Sequence, residues 1–404
     1  MSEGIFAGLK VADFTWAAAG PIATKQLADN GATVVKVESL HHPDSVRLGG
    51  PFIDDKPGIN RSGFFADFNS SKLSLAVNMG HPRAAEAIVP LVKWADVVAE
   101  SFRPGVMQRW GFGYDDIRKH NPSIIMLSSS LNGEDGPWSS HPGFGAQGQA
   151  LAGIHGVTGW PDRPPAAPKG AYTDSVSPRL AASALLAAMI HREKTGIGQH
   201  VRLSQVEATI TLLTPQLLEF QIAGRKAERQ GNDKKNALLH GVFRCLGDER
   251  WIAIEVENET QWRGLLDVLA RTHTLAPALT KHEPWRGHER RVLEQAIEEA
   301  TARWDAFVLM DELLAAGVPA GVALKACDLL DNPMLEDRRH FSPLQHPEMG
   351  TLKYNGPAYR FSQTPSKLTR AAPCLGQDSS MVLTELLALN TATIEDLRRS
   401  GVLE

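Results

Sequence analysis

A chain of 404 residues that is 43% hydrophobic and 22% charged, with a net charge of −4, has the makeup of a globular protein of two domains, or of one large domain with an insertion. That charge gives no general reason to expect nucleic acid or an anionic membrane as partner, and no run reaches the roughly 18 apolar residues a bilayer span needs. The start, Met1-Ser2-Glu3-Gly4, lacks the basic region and apolar run of an export signal. Cys245, Cys327 and Cys374 lie far apart and are odd in number, so the expected setting is the reducing cytoplasm.

In chain order, Leu9 to Phe14 reads as a strand, Pro21 to Asn30 as a helix ended by Gly31, and Thr33 to Glu38 as a second strand. This is a βαβ unit, which requires a parallel sheet and a right-handed crossover. The turn after the first strand, Thr15-Trp16-Ala17-Ala18-Ala19-Gly20-Pro21, has one glycine where a dinucleotide fingerprint needs three. A polar excursion from His41 to Gly63 precedes a strand at Ser74 to Val77, a helix from about Pro82 to Trp94, and strands at Asp96 to Glu100 and Ile124 to Ser129. The alternation makes the first 200 or so residues α/β. Gly143-Phe144-Gly145-Ala146-Gln147-Gly148 matches G-x-G-x-x-G but follows a Pro-rich loop, so it reads as a loop entering a helix. Val201 to Ser204 reads as a strand and Val206 to Phe220 as a helix kinked at Pro215. The polar segment Gly224 to Asn236 marks a boundary. After it come a strand at Trp251 to Val256, a helix at Thr260 to Ala270, a charged amphipathic run from Glu289 to Ala316, and a hairpin-like Gly350 to Phe361.

Fourteen histidines invite a metal or a catalytic dyad, but the adjacent His41 and His42 suit neither, and no H-E-x-x-H occurs. There is no G-x-S-x-G elbow and no Walker A sequence, which removes the commonest hydrolase and phosphate-loop chemistry. What remains is a carboxylate. Asp174 lies in Lys169-Gly170-Ala171-Tyr172-Thr173-Asp174-Ser175-Val176-Ser177-Pro178, ahead of an apolar helix that Ser177 and Pro178 are suited to start. Leu180, Ala184 and Ala188 form one row of that helix and Ala181, Leu185 and Met189 the next, with Leu186 and Ile190 beside them, so burial nearly all round is expected. A carboxylate just outside such a helix N-terminus is expected to stay ionised. It suits a nucleophile and a structural cap equally, and Glu134 and Asp135 suit polar support or a solvated turn.

The motifs taken together settle more than any one does. Val11-Ala12-Asp13-Phe14 with Gly20-Pro21, Leu27 to Glu38, Asn69-Ser70-Ser71-Lys72, Ala95-Asp96-Val97-Val98 and Ser101-Phe102-Arg103-Pro104-Gly105 stand in register with Asp174, Arg192 to Gln199 and Ser204 to Ala208. In that order they resemble the class III CoA-transferases, through nearly the whole chain. The resemblance implies an α/β fold: a large Rossmann-like domain with a parallel sheet (residues 1–224 and 332–404), a smaller α+β domain (225–331), and two subunits interlocked like links. It implies Asp174 as nucleophile, passing through an aspartyl anhydride and an aspartyl-CoA thioester, with no permanently bound cofactor and CoA esters as substrates. It also implies substrate and CoA contacts at Ala18, Ala19, Lys72, Phe102, Arg103, Arg109 and Glu134. Formyl-CoA transferase has a glutamine where Ala18 stands and a Gly-rich lid that has no counterpart here, so oxalate and formate are not the expected acids.

His240 to Cys245 with Arg250 to Ile254, and Pro343 to Gly356, resemble the benzylsuccinate-type subunits. That implies transfer from succinyl-CoA to a substituted succinate or other dicarboxylate, in a homodimer or with a homologous subunit. Two alternatives remain open at this point. One is an α-methylacyl-CoA racemase, although Phe144 falls where its histidine would stand and His141 is three residues away. The other is a non-catalytic partner subunit of a heteromeric transferase.

Overall fold

The computed structural model describes residues 4–234, 237–272, 274–280 and 290–404. The first three residues, Lys235 and Asn236 of the expected boundary, Glu289 of the expected charged helix, and His273, His282 and His288 lie outside the described residues.

The chain divides into two compact units, one of residues 1–154, 167–226 and 333–404, the other of residues 155–166 and 227–332. The first is an α/β fold on a six-stranded, all-parallel sheet: β1 (Lys10–Phe14), β2 (Thr33–Glu38), β3 (Leu73–Ala76), β4 (Val97–Glu100), β5 (Ile125–Ser130) and β6 (His200–Ser204). Their order across the sheet is β3-β2-β1-β4-β5-β6. Both faces of the inner strands are covered, so β1, β2 and β4 are buried along nearly their whole length instead of on alternate residues. Val11, Val34, Val97, Ala99, Ile125 and Leu127 face one core, with Ala23, Leu27, Ala181 and Leu185 of two helices. Ala12, Val35, Leu75, Val98 and Met126 face another, with Ile88, Leu91, Ile117 and Leu397. The order reverses direction between β1 and β4, and α/β sheets bind ligands beyond the strand ends at such a point.

The second unit is a three-stranded antiparallel sheet, β7 (Leu239–Arg244), β8 (Trp251–Val256) and β9 (Ala320–Val322). Helices Glu259–Leu269, Arg290–Thr301 and Ala306–Ala315 share its apolar core. The charged run expected as one helix is thus two, because the Asp305 side chain accepts from the N–H groups of Phe307 and Val308 and starts the chain afresh. The terminal hairpin pairs β10 (Phe341–His346) with β11 (Gly350–Asn355) in the first unit. It turns at residues 347–349 and not beyond Gly350 as expected. Pro215 does not kink a continuous helix: Gln205–Ile210 ends, a 3-10 turn follows, and Thr214–Ala223 begins with the proline in its first turn. No helix among the described residues is long and apolar enough to cross a membrane.

Candidate active site

Asp174 stands inside a helix, not ahead of one. The helix runs Tyr172–Thr195, with Ala171 in the flanking position. It starts five residues before Ser177 because a neighbouring element supplies the acceptor its first N–H needs, the Gln149 Oε1 that takes the Tyr172 N–H at 3.2 Å. Ser177 therefore caps nothing; its hydroxyl donates back to the Thr173 carbonyl at 2.7 Å. Pro178, inside the helix, has no N–H for the Asp174 carbonyl.

The helix is also not buried all round. Ala181, Leu185 and Ala188 face the core, while Leu180, Leu186 and Ile190 are 41%, 42% and 52% exposed. One stripe only is covered, and apolar side chains are left outside it.

The Asp174 carboxylate is half-buried and has no hydrogen-bond or ion-pair partner among the described residues. Burial pushes its pKa up to about 6, against the helix dipole, which favours the ionised form. The expected stabilised anion is thus a destabilised one. A cap would hold a backbone N–H, and none is held here, so the structural alternative loses its content.

Glycines shape the surroundings. A Cβ at Gly145 would sit 2.8 Å from Asp174 Oδ2 and 2.2 Å from the Ala171 Cβ. A Cβ at Gly148 would meet Leu131 at 2.7 Å and Thr173 at 3.0 Å. The G-x-G-x-x-G match is therefore a close-packing device: a loop enters the helix Gly145–Leu151, and its bare face lies against the turn that carries Asp174.

At the reversal point of the sheet, the turn after β1 meets the turn after β4. Ser101 Oγ accepts the Trp16 N–H at 2.8 Å and donates to the Trp16 carbonyl at 3.1 Å. Phe102 lies edge-on between Trp16 and Trp110, its centroid 5.2 Å from each. Arg103 is exposed on the turn after β4 and Arg109 at the end of the short helix Val106–Arg109 that follows, and neither guanidinium has a protein partner among the described residues. Ala18 is half-buried and Ala19 buried at the start of the helix Ala19–Ala28.

Lys72 does not face this surface. It is fully buried, and its ammonium donates to Asp13, the Pro21 carbonyl, Thr24 and Asn69 at 2.8 to 3.0 Å. The expectation of a CoA contact there is corrected: a lysine spent on four internal acceptors has no reach to a ligand.

Glu134 joins a group that sequence reasoning missed. Its carboxylate is 3.4 Å from His200 Nε2, which lies 2.8 Å from Ser128 Oγ, and Tyr114 stacks on the imidazole at 5.1 Å. Burial pushes His200 down to about 4, with Arg202 adding to it, so the ring is neutral. Glu100, which closes β4 and accepts the Phe102 N–H at 2.8 Å, is pushed up to about 7 by burial. The legible signal was a charged residue ending an apolar strand. His141 is exposed and stacks on Trp138, with centroids 6.3 Å apart, and Phe144 is 68% exposed. Among the described residues no three His, Cys, Asp or Glu side chains are placed to hold a metal ion.

The site sets a desolvated, unpaired carboxylate beside a Rossmann-type sheet and unpaired guanidinium groups near its reversal point, a combination suited to nucleophilic chemistry on an anionic ligand. The sequence profile of CoA-transferase family III matches residues 6–379, and the chain belongs to that family. The succinyl-CoA–D-citramalate CoA-transferase of Chloroflexus aurantiacus is 30% identical, over 95% of this chain and 94% of its own. The succinyl-CoA:mesaconate CoA-transferase of Haloarcula marismortui is 31% identical, over 95% of this chain and 96% of its own. The crystal structure of a CaiB/BaiF family protein from Brucella suis superposes with a TM-score of 0.86 at 28% identity, covering 95% of this chain and all of that one. CoA thioesters are accordingly the substrates of this enzyme class.

Proposed function

We propose that the protein moves CoA from succinyl-CoA to a dicarboxylic acid, with Asp174 as the nucleophile. The observation that carries the reading is the unpartnered, desolvated Asp174 carboxylate. Ionised, it is more reactive than a solvated carboxylate because burial has removed the water that would stabilise its charge. It attacks the thioester carbonyl, giving a succinyl-aspartyl anhydride and CoA thiolate. The thiolate attacks the aspartyl carbonyl, releasing succinate and leaving an aspartyl-CoA thioester. The acceptor carboxylate attacks that thioester, freeing thiolate and forming a second anhydride. Thiolate then takes the acceptor acyl group and returns Asp174 as carboxylate. Each step keeps the thioester's activation in a covalent bond, provided water is excluded.

The backbone N–H groups of Ala18 and Ala19 supply donors to the developing oxyanions, and Glu134 supplies polar support. Phe102 stacks on the adenine, and Arg103 and Arg109 pair with the phosphates of CoA, to which their planar forks are suited. A substituted succinate is the acceptor we favour. The similarity to the benzylsuccinate type supports it, and citramalate, named for one relative, is itself a substituted succinate. The exposed apolar side chains Leu180, Leu186 and Ile190 support pairing with a second copy or a homologous subunit in an interlocked dimer. The three cysteines are unbonded, which suits the cytoplasm.

The racemase reading needs a histidine within hydrogen-bond reach of a substrate Cα, and Phe144 stands where it would be. A silent partner subunit would show no chemistry at Asp174. The test is a mass-spectrometric screen of CoA esters against carboxylic acids, benzylsuccinate, citramalate, mesaconate and glutarate included, with the chain alone and with a homologous partner. Transfer from succinyl-CoA to a dicarboxylate is expected. Deuterium entering Cα of an acyl-CoA with no acceptor present would favour the racemase.

A further inference from the structure

Beneath the turn after β1 lie six charged side chains, Asp13, Lys36, Glu38, Asp44, Arg47 and Lys72, each 2% exposed or less. Three are cations and three anions, and each has a partner: Lys72 with Asp13 at 2.9 Å, Lys36 with Asp44 at 3.1 Å, Arg47 with Glu38 at 2.8 Å. Burying ions is costly, and well-packed apolar side chains would hold a fold at least as well. The charges must therefore be weighed by what else they hold.

They hold the backbone of one turn. Asp13 Oδ1 accepts the Thr15 N–H at 2.9 Å and the Thr15 hydroxyl at 2.5 Å. Lys36 Nζ donates to the Thr15 carbonyl at 2.6 Å. Asp44 Oδ1 accepts the Ala17 N–H at 2.8 Å while its Oδ2 receives Lys36. With Ser101 on both polar groups of Trp16, the backbone from the Thr15 N–H to the Ala17 N–H is fastened to side chains of other elements. Ala17 is driven to φ 63°, a left-handed conformation that an L residue does not adopt unaided. That conformation turns the chain into the helix that opens at Ala19.

We propose that Asp44 and Lys36 are positioning residues for CoA transfer: they clamp the Thr15–Ala17 backbone so that the N–H groups of Ala18 and Ala19 are fixed where the reacting acyl group arrives. Neither side chain reaches the substrate. The inference rests on the reading that this turn serves exchange at Asp174, and it adds the device that keeps the turn rigid. A donor aimed at a transition state is effective because it is held beforehand, so loosening the clamp acts on the chemical step more than on CoA binding.

The experiment uses the full chain. The paired variant Lys36→Met with Asp44→Leu removes both charges together and leaves no uncompensated ion. Asp44→Asn keeps an oxygen for the Ala17 N–H. We expect the paired variant to lose on the order of 10²-fold in kcat with KM for succinyl-CoA within about threefold, and Asp44→Asn to recover most of that loss. Deuterium uptake by a peptide covering residues 15–22 is read in parallel. It should be as slow as that of β1 in the wild type and faster in the paired variant. A folded paired variant with wild-type kcat overturns the proposal. So does a wild-type turn that exchanges as fast as an unprotected loop, a result available even if the variants do not fold. Full activity in Asp174→Ala would instead overturn the underlying reading of the site, and the exchange data would still decide whether the clamp exists.

Discussion

Two aspartates of the same unit are treated in opposite ways. Asp13 is fully buried, and although burial alone would raise its pKa, Lys72, Lys36 and the Thr15 hydrogen bond hold the carboxyl below its usual range. Asp174 is only half-buried, yet with no partner among the described residues it rises to about 6. Position in the fold does not separate a scaffold carboxylate from a reactive one; pairing does. The molecule spends hydrogen bonds and counter-ions on the groups that must stay still and withholds them from the one proposed to react.

The sharpest way to break that contrast is to delete the unpaired group. Asp174→Ala is expected to lose on the order of 10⁴-fold or more in transfer rate, measured with succinyl-CoA and its best acceptor, while thermal stability above pH 6 rises, because the charge removed is desolvated and has no partner. Crowding the group comes next. Gly145→Ala puts a methyl 2.2 Å from the Ala171 Cβ and 2.8 Å from Asp174 Oδ2, so the turn carrying Asp174 must shift, and we expect a loss of about 10² in kcat. On the paired side the effect should be on stability. Glu38→Gln leaves Arg47 buried without its counter-ion and should cost about 3–5 kcal/mol in denaturant titrations.

Titration separates the two classes by sign. Transfer should fall about tenfold per pH unit below about 6, as the Asp174 carboxylate takes up a proton. Asp13 and Glu38, both held low in the folded protein, contribute stability that is present above their ordinary values and lost as pH falls through the folded ones. Glu100 runs the other way. With a folded value of about 7 against an ordinary 4.5, its contribution is complete below the ordinary value and is lost as pH rises toward 7. Denaturation midpoints of Glu100→Gln against wild type, from pH 4 to 8, should diverge over that interval alone.

Much of the large unit was legible. Strands such as Val97–Glu100 and Ile125–Ser130 are short, open on apolar residues and are bounded by turns, and their alternation with helices demands a parallel sheet. Local reading failed where a distant residue decides the outcome. Lys36, within Thr-Val-Val-Lys-Val-Glu, has the look of a lysine on a solvated face, and it is buried because Asp44 and the Thr15 carbonyl receive it. Lys72 was drawn to CoA by its motif and is held inward by acceptors on β1 and on the helix Ala19–Ala28, with Asn69 beside it. The long helix starts at Tyr172 and not at Ser177 because of Gln149, a partner 23 residues away. That apolar side chains on that helix stay exposed was equally invisible: periodicity reports that a face is apolar, not what covers it. Asp174 itself was recognised through the resemblance, while its missing partners needed coordinates.

The most direct test of the central claim is to catch the acyl group on the carboxylate. The protein is mixed with succinyl-CoA, quenched with hydroxylamine, digested, and the peptide carrying Asp174 is examined by mass spectrometry. A donor-dependent hydroxamate at Asp174, absent with CoA alone, is the predicted result. Transfer that proceeds with no modification of Asp174 would contradict the account.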